Sequence, residues 1–76
     1  MEVMIMESMQ LKALKIWEFI REINGNGKEV YKLIQDNTTI IWSVNKQFGV
    51  MIIDDDVELL ENWDMLDSIM QEMEIY

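Results

Sequence analysis

The apolar residues of this chain change their spacing twice, and that change limits the folds open to it. Met9, Ala13, Ile16, Ile20 and Ile23 recur at steps of four, three, four and three, the stripe of an amphipathic helix over about 5–24. Leu59, Trp63, Leu66, Met70 and Met73 repeat the same steps near the other end and predict a second helix over about 56–74. Between them lie three short runs rich in β-branched and aromatic residues, 28–35, 38–44 and 48–53. Asn24-Gly25-Asn26-Gly27 ends the first helical pattern, because Gly and Asn accept the left-handed backbone of a helix terminus. Asp36-Asn37 and Asn45-Lys46-Gln47 are short, turn-forming links between the runs. The expected fold is α+β: a three-stranded antiparallel sheet flanked by an N-terminal and a C-terminal helix, in the order α-β-β-β-α.

The 76 residues are read as a single domain. There is no cysteine to form a disulfide and no histidine to share in a zinc site, so stability must come from packing. Half the residues are apolar and three are tryptophan, which favours a folded globule over an acidic disordered tail. In the middle run Ile40, Trp42 and Val44 share one face; in the last, Phe48, Val50 and Ile52 oppose Met51 and Ile53. Apolar residues on both faces imply either two-sided burial or self-association, so a homodimer is kept open. Leu11 and Leu14 fall on the charged side of the first helix, beside Lys12, Lys15, Glu18, Arg21 and Glu22, and are expected to be exposed. A contact patch there is the alternative.

Charge is segregated along the chain. Residues 1–53 carry six acids and six bases; residues 54–76 carry nine acids and no base, and hold the whole net charge of −9. Asp54, Asp55 and Asp56 are read as the cap of the second helix, where carboxylates meet free N–H groups and the positive helix end. Glu58, Glu61, Asp64 and Glu72 are read as its outer face, with Asp67 and Glu74 flanking the buried stripe. Like charges three apart, such as Glu61–Asp64 and Asp64–Asp67, weaken a helix slightly. A helix of 56–74, about 27 Å long, would hold these carboxylates at spacings that stand in for backbone phosphates. Lys and Arg of a DNA-binding protein would then meet them in charge-assisted hydrogen bonds.

Other chemistries fit less well. Without His or Cys, and with no Ser in a triad context, an enzyme is not expected. Asp54, Asp56 and Glu58 alternate like the start of a calcium loop, but the sixth position is Leu59 rather than Gly and the twelfth is Met65 rather than Glu. No metal and no cofactor is expected. Gly25 and Gly27 follow a helix rather than a strand and lack a Lys-Ser/Thr, so they form a turn and not a phosphate loop. Net negative charge argues against direct nucleic-acid binding. The start carries Glu2 and Glu7 and no basic n-region, and no apolar run reaches the roughly 20 residues of a membrane span. The expected location is the cytoplasm.

In size, in lacking Cys and His, in its α-β-β-β-α order and in the bare acidic segment from Asp54 to Glu74, the chain resembles small acidic phage-encoded DNA-mimic inhibitors. Those directed at the bacterial nucleoid protein HU are the most similar. The resemblance implies an inhibitor in the bacterial host cytoplasm that occupies the basic DNA-binding cleft of an HU-like protein and displaces DNA. Its partner-binding residues would be Asp54, Asp55, Asp56, Glu58, Glu61, Asp64, Asp67 and Glu72. Acidic anti-CRISPR proteins have similar proportions, and an immunity protein or antitoxin against a basic enzyme rests on the same charge argument.

Overall fold

The structure is a computed structural model that describes residues 2–23 and 25–74, with the side chains of 1–7, Asn24 and 74–76 outside the description. It contains two helices and five strands: α1 (Glu2–Ile16), β1 (Ile20–Ile23), β2 (Glu29–Gln35), β3 (Thr38–Ser43), β4 (Phe48–Ile53), β5 (Asp56–Leu60) and α2 (Trp63–Glu74). The strands form one antiparallel meander in sequence order, β1-β2-β3-β4-β5. The α+β class and the helix-first, helix-last order are as expected. The sheet has five strands rather than three, because both expected helices are shorter than their stripes.

α1 stops at Ile16, eight residues before the expected end. Glu18 takes a left-handed backbone, φ 69°. Its N–H donates to the Lys15 carbonyl (3.0 Å) and the Phe19 N–H to the Leu14 carbonyl (2.9 Å). This pair of bonds is a Schellman cap, normally built on glycine. Its usual apolar contact is supplied by Phe19 and Leu14, both buried. Ile20 and Ile23, expected in the helix stripe, therefore lie in β1 and are exposed. The phase of α1 also differs: Leu14 is fully buried and Gln10 nearly so, while Met9 and Ile16 face outward. Leu11 is exposed as expected and Leu14 is not.

The second expected helix is divided in the same way. Ile53 pairs with Asp56 across a two-residue hairpin loop. Asp54 (φ 49°) and Asp55 (φ 80°) both have positive φ, as a type I′ turn demands. Asp56 to Leu60 then forms β5, and Leu59, expected in the buried helix stripe, is half-exposed on the sheet. The Asp triplet is thus a turn and a strand start, not a helix cap. The cap of α2 is Asn62, whose Oδ1 accepts from the Met65 N–H at 3.0 Å. Leu66 and Met70 are buried in α2 as its stripe predicts, with Trp63 and Met73 packed beside them.

Register assigns the two faces of the sheet. Tyr31, Trp42, Gly49 and Leu60 form one cross-strand row, and Leu33, Ile40, Met51 and Glu58 the next. Ile40, Trp42, Met51 and Leu60 are buried in one cluster with Leu14, Leu66 and Met70, so both helices cover this face. The indole of Trp42, fully buried, lies over Gly49. A Cβ on Gly49 would come within 2.8 Å of Trp42 Cε3 and 2.3 Å of the Ile41 carbonyl oxygen. Trp63 meets Trp42 edge-on (centroids 5.8 Å, 65°) and stacks on Trp17 (5.5 Å, 24°). The end of α1, the centre of the sheet and the start of α2 are thereby joined through aromatic contacts. A reciprocal amide pair adds a polar tie: Gln10 Nε2 donates to Gln47 Oε1 (2.8 Å) and Gln47 Nε2 to Gln10 Oε1 (2.7 Å). This satisfies the buried Gln10 and fastens α1 to the β3–β4 loop.

Two substitutions test these assignments by denaturant unfolding. Glu18→Gly removes the left-handed strain at the helix cap and should raise stability by about 0.5–1 kcal/mol. A loss of stability would mean that the helix does not end there in that conformation. Gly49→Ala should lower stability by about 1–3 kcal/mol through overpacking against Trp42 and the β3 backbone; a neutral effect would contradict their close approach.

Candidate functional site

A sequential meander converts position along the chain into position across the sheet. The nearly neutral first part of the chain supplies β1 to β4, and the acidic last part supplies the β5 edge and the helix that follows. The segregated charge of the sequence therefore becomes a spatial one. Among the described residues the ion pair present is Arg21 with Glu29, where β1 meets β2 at the other edge of the sheet.

The eight expected partner-binding carboxylates occupy four kinds of position. Asp54 and Asp55 form the β4–β5 turn, at the same end of the sheet as the Asp36-Asn37 turn between β2 and β3. The two turns are joined: Asn37 Nδ2 donates to Asp54 Oδ2 (2.9 Å), and the Asp54 N–H to the Asn37 carbonyl (3.4 Å). Asp56 and Glu58 alternate along β5 on the helix-covered side, opposite Ile53 and Met51. Glu61 lies exposed in the link to α2. Asp64, Asp67 and Glu72 are on α2, where Asp67 Oδ2 accepts from Gln71 Nε2 at 3.1 Å.

Three of the eight come together. Glu58 from β5 and Asp64 and Glu72 from α2 line one open groove between the sheet edge and the helix, with Met51, Met65 and Ile69 as its apolar floor. Asp56 joins Glu58 in the adjoining hollow. Asp54, Asp55, Glu61 and Asp67 are not groove residues. Glu74 lies outside the described side chains. The expected single helical ridge is thus replaced by a composite surface of turn, edge strand and a helix of 12 residues, about 18 Å long. Sequence reasoning missed Ser68, Met65 and Ile69 as groove residues, because the groove exists only when β5 folds back beside α2. No group of three carboxylates among the described residues is placed to hold a metal ion. No helix among the described residues is long and apolar enough to cross a membrane.

The carboxylates on β5 serve a second physical purpose. β5 is an edge strand with one side of its backbone unpaired, and charged residues on such a strand hinder pairing with another chain. That accounts for Asp56 and Glu58, but not for Asp64, Asp67 and Glu72, which are on a helix.

The cationic counterpart lies at the end of the sheet opposite the Asp turns. Lys28 precedes β2 and Lys46 is in the β3–β4 loop. Lys28, through a hydrogen bond and its like charge, holds the Lys46 ammonium below the ordinary lysine range. Comparison of the chain with protein-family models, with curated protein sequences and with solved structures gives no match, so the reading of this surface rests on its own residues.

The lysine pair gives a direct check of the electrostatic layout. In a side-chain NMR titration Lys46 should deprotonate below the ordinary lysine range, and Lys28→Gln should return it toward that range. Since the folded value of Lys46 is depressed, its contribution to stability should increase as pH rises through that value toward the ordinary lysine value of 10.5. An unchanged Lys46 titration in Lys28→Gln would show that the two loops are not neighbours.

Proposed function

We propose that this protein is an acidic DNA mimic that binds the basic DNA-binding surface of a nucleic-acid-binding protein and blocks access of DNA, with an HU-like nucleoid protein as the first partner to test. One observation carries the reading. Glu58 of β5 and Asp64 and Glu72 of α2 converge on one groove, and the stretch of chain that supplies them, from the β4–β5 turn through β5 and the link to α2, holds no lysine or arginine.

A wet surface selected only for solubility is normally mixed in sign. A surface of one sign raises the local concentration of an oppositely charged partner and speeds its encounter. Glu58 from β5 and Asp64 and Glu72 from α2 offer carboxylates from two elements rather than along one helix. Lys and Arg side chains that normally clasp two phosphate strands could engage both the strand and the helix. Met51, Met65 and Ile69 on the groove floor would add apolar contact that a phosphate backbone does not offer, favouring this protein over DNA in competition.

The test is a competition experiment with purified HU and duplex DNA. The protein should displace labelled DNA from HU, and its affinity should fall as salt rises. Asp64→Lys with Glu72→Lys, both at exposed positions, should weaken binding by about 100-fold, near 2.7 kcal/mol, with an unchanged circular dichroism spectrum. Binding to HU that DNA does not oppose would end the proposal. Capture of a basic toxin enzyme or effector nuclease instead of HU would redirect it to an immunity or anti-CRISPR role on the same surface.

A further inference from the structure

The face of the sheet turned away from both helices is apolar and uncovered. Register places Ile20, Lys32, Ile41, Val50 and Leu59 in one row across all five strands, and Ile34, Thr39, Ile52 and Val57 in the next. Ile20, Ile34, Val57 and Leu59 are 67%, 64%, 62% and 51% exposed, where a soluble antiparallel sheet normally presents polar residues to water. We propose that this face is the interface of a homodimer, in which two copies stack sheet on sheet with the helices outside.

The area suits that occupant. Five strands about 4.8 Å apart, each about six residues long, make a face of roughly 24 by 18 Å, about 430 Å², so stacking two copies would cover on the order of 900 Å² in total, the low end of specific interfaces, where association needs micromolar concentrations. A patch of this extent is as large as the largest that a typical monomer exposes, and such patches are often functional.

Charge selects a second copy over other partners. The chain carries −9, yet this face holds one acid and one base, Glu22 and Lys32, so it is a surface through which two such molecules can approach. Lys32 is one strand in from the β1 edge, and Glu22 is its diagonal neighbour across the strand pair. The lysine stem can lie along the apolar surface while its ammonium reaches that rim. The two ends of the face differ in sign, with Asp36, Asp54 and Asp55 at one and Lys28 and Lys46 at the other. Stacked with strands antiparallel, the lysine end of each copy lies over the aspartate end of its partner, and a two-fold axis makes both contacts at once. A membrane surface would favour a cationic rim on all sides, and a basic protein would gain nothing from a neutral face. The acidic groove between β5 and α2 is on the other side of the sheet, so dimerisation leaves two grooves open. This inference does not depend on the DNA-mimic reading.

Sedimentation of the full chain without any partner tests it. The wild type should be dimeric at tens of micromolar. Ile34→Lys with Leu59→Lys should weaken the dimer by about 100-fold or more by placing charges within its apolar surface. The milder Ile34→Ser with Leu59→Ser should shift it in the same direction, and unchanged near-ultraviolet dichroism would show that the Trp cluster is intact. Asp64→Lys with Glu72→Lys should remain dimeric, which separates this surface from the acidic groove. A monomeric wild type at hundreds of micromolar would overturn the proposal, as would a dimer unaffected by either face variant. A monomeric wild type that loses HU or phosphatidylcholine vesicle binding in the face variants would assign the face to that occupant and overturn it equally.

Discussion

The contact of Trp42 with Gly49 is the constraint around which the rest of the structure is arranged. Strands β3 and β4 pair so that the largest side chain of the core lies over the one residue of β4 without a Cβ. The indole can then lie low on the sheet and accept Trp63 edge-on, and Trp63 in turn stacks on Trp17. α1 ends where Trp17 and Phe19 must reach this cluster, and α2 begins where Trp63 must. Trp42 Nε1 has no hydrogen-bond partner among the described residues. Its contribution is therefore one of area and aromatic geometry, with an unsatisfied donor as an offsetting cost of about 1–3 kcal/mol. For a chain this small, with no disulfide to assist, a compact aromatic centre is an effective way to join two helices to one sheet face.

That one-sided arrangement has two consequences. Both helices are used on the same face, so the other must remain wet or be covered by another molecule. The simple strand order also keeps neighbours in sequence neighbours in space. Acids concentrated in the last third of the chain therefore stay together on β5, its turn and α2, while Arg21 and Lys32 remain on β1 and β2. A crossover connection would have placed the acidic segment between strands of mixed charge and diluted the field. The acidic groove and the apolar face thus have one origin, a meander with all its helical cover on one side.

Much of this was legible in the residues. β2, β3 and β4 follow from their β-branched and aromatic runs and from the short polar links between them. The Leu66–Met70 core of α2 follows from its spacing. β1 and β5 were hidden because Ile20 and Ile23, and Leu59 and Trp63, stand three or four apart, which fits a helix as well as it fits a strand next to one. The turns that separate them carry no glycine. Glu18 takes a left-handed conformation that favours Gly, and Asp54-Asp55 forms a turn usually marked by Asn-Gly. Tertiary contacts decide both: Phe19 on Leu14 at the helix end, and Asn37 on Asp54 at the turn. The acidic segment was visible as charge, but the convergence of Glu58 on Asp64 and Glu72 was not, since it needs a strand and a helix packed side by side.

Residue-resolved amide NMR during titration with HU examines the acidic surface most directly. If the β5–α2 side is the DNA-mimicking surface, shifts should concentrate at Asp54 to Glu58, Glu61, Asp64, Ser68 and Glu72, and leave β1 and the Ile34 side of the sheet unchanged. Perturbations centred on β1 and β2, or none at stoichiometric HU, would contradict it.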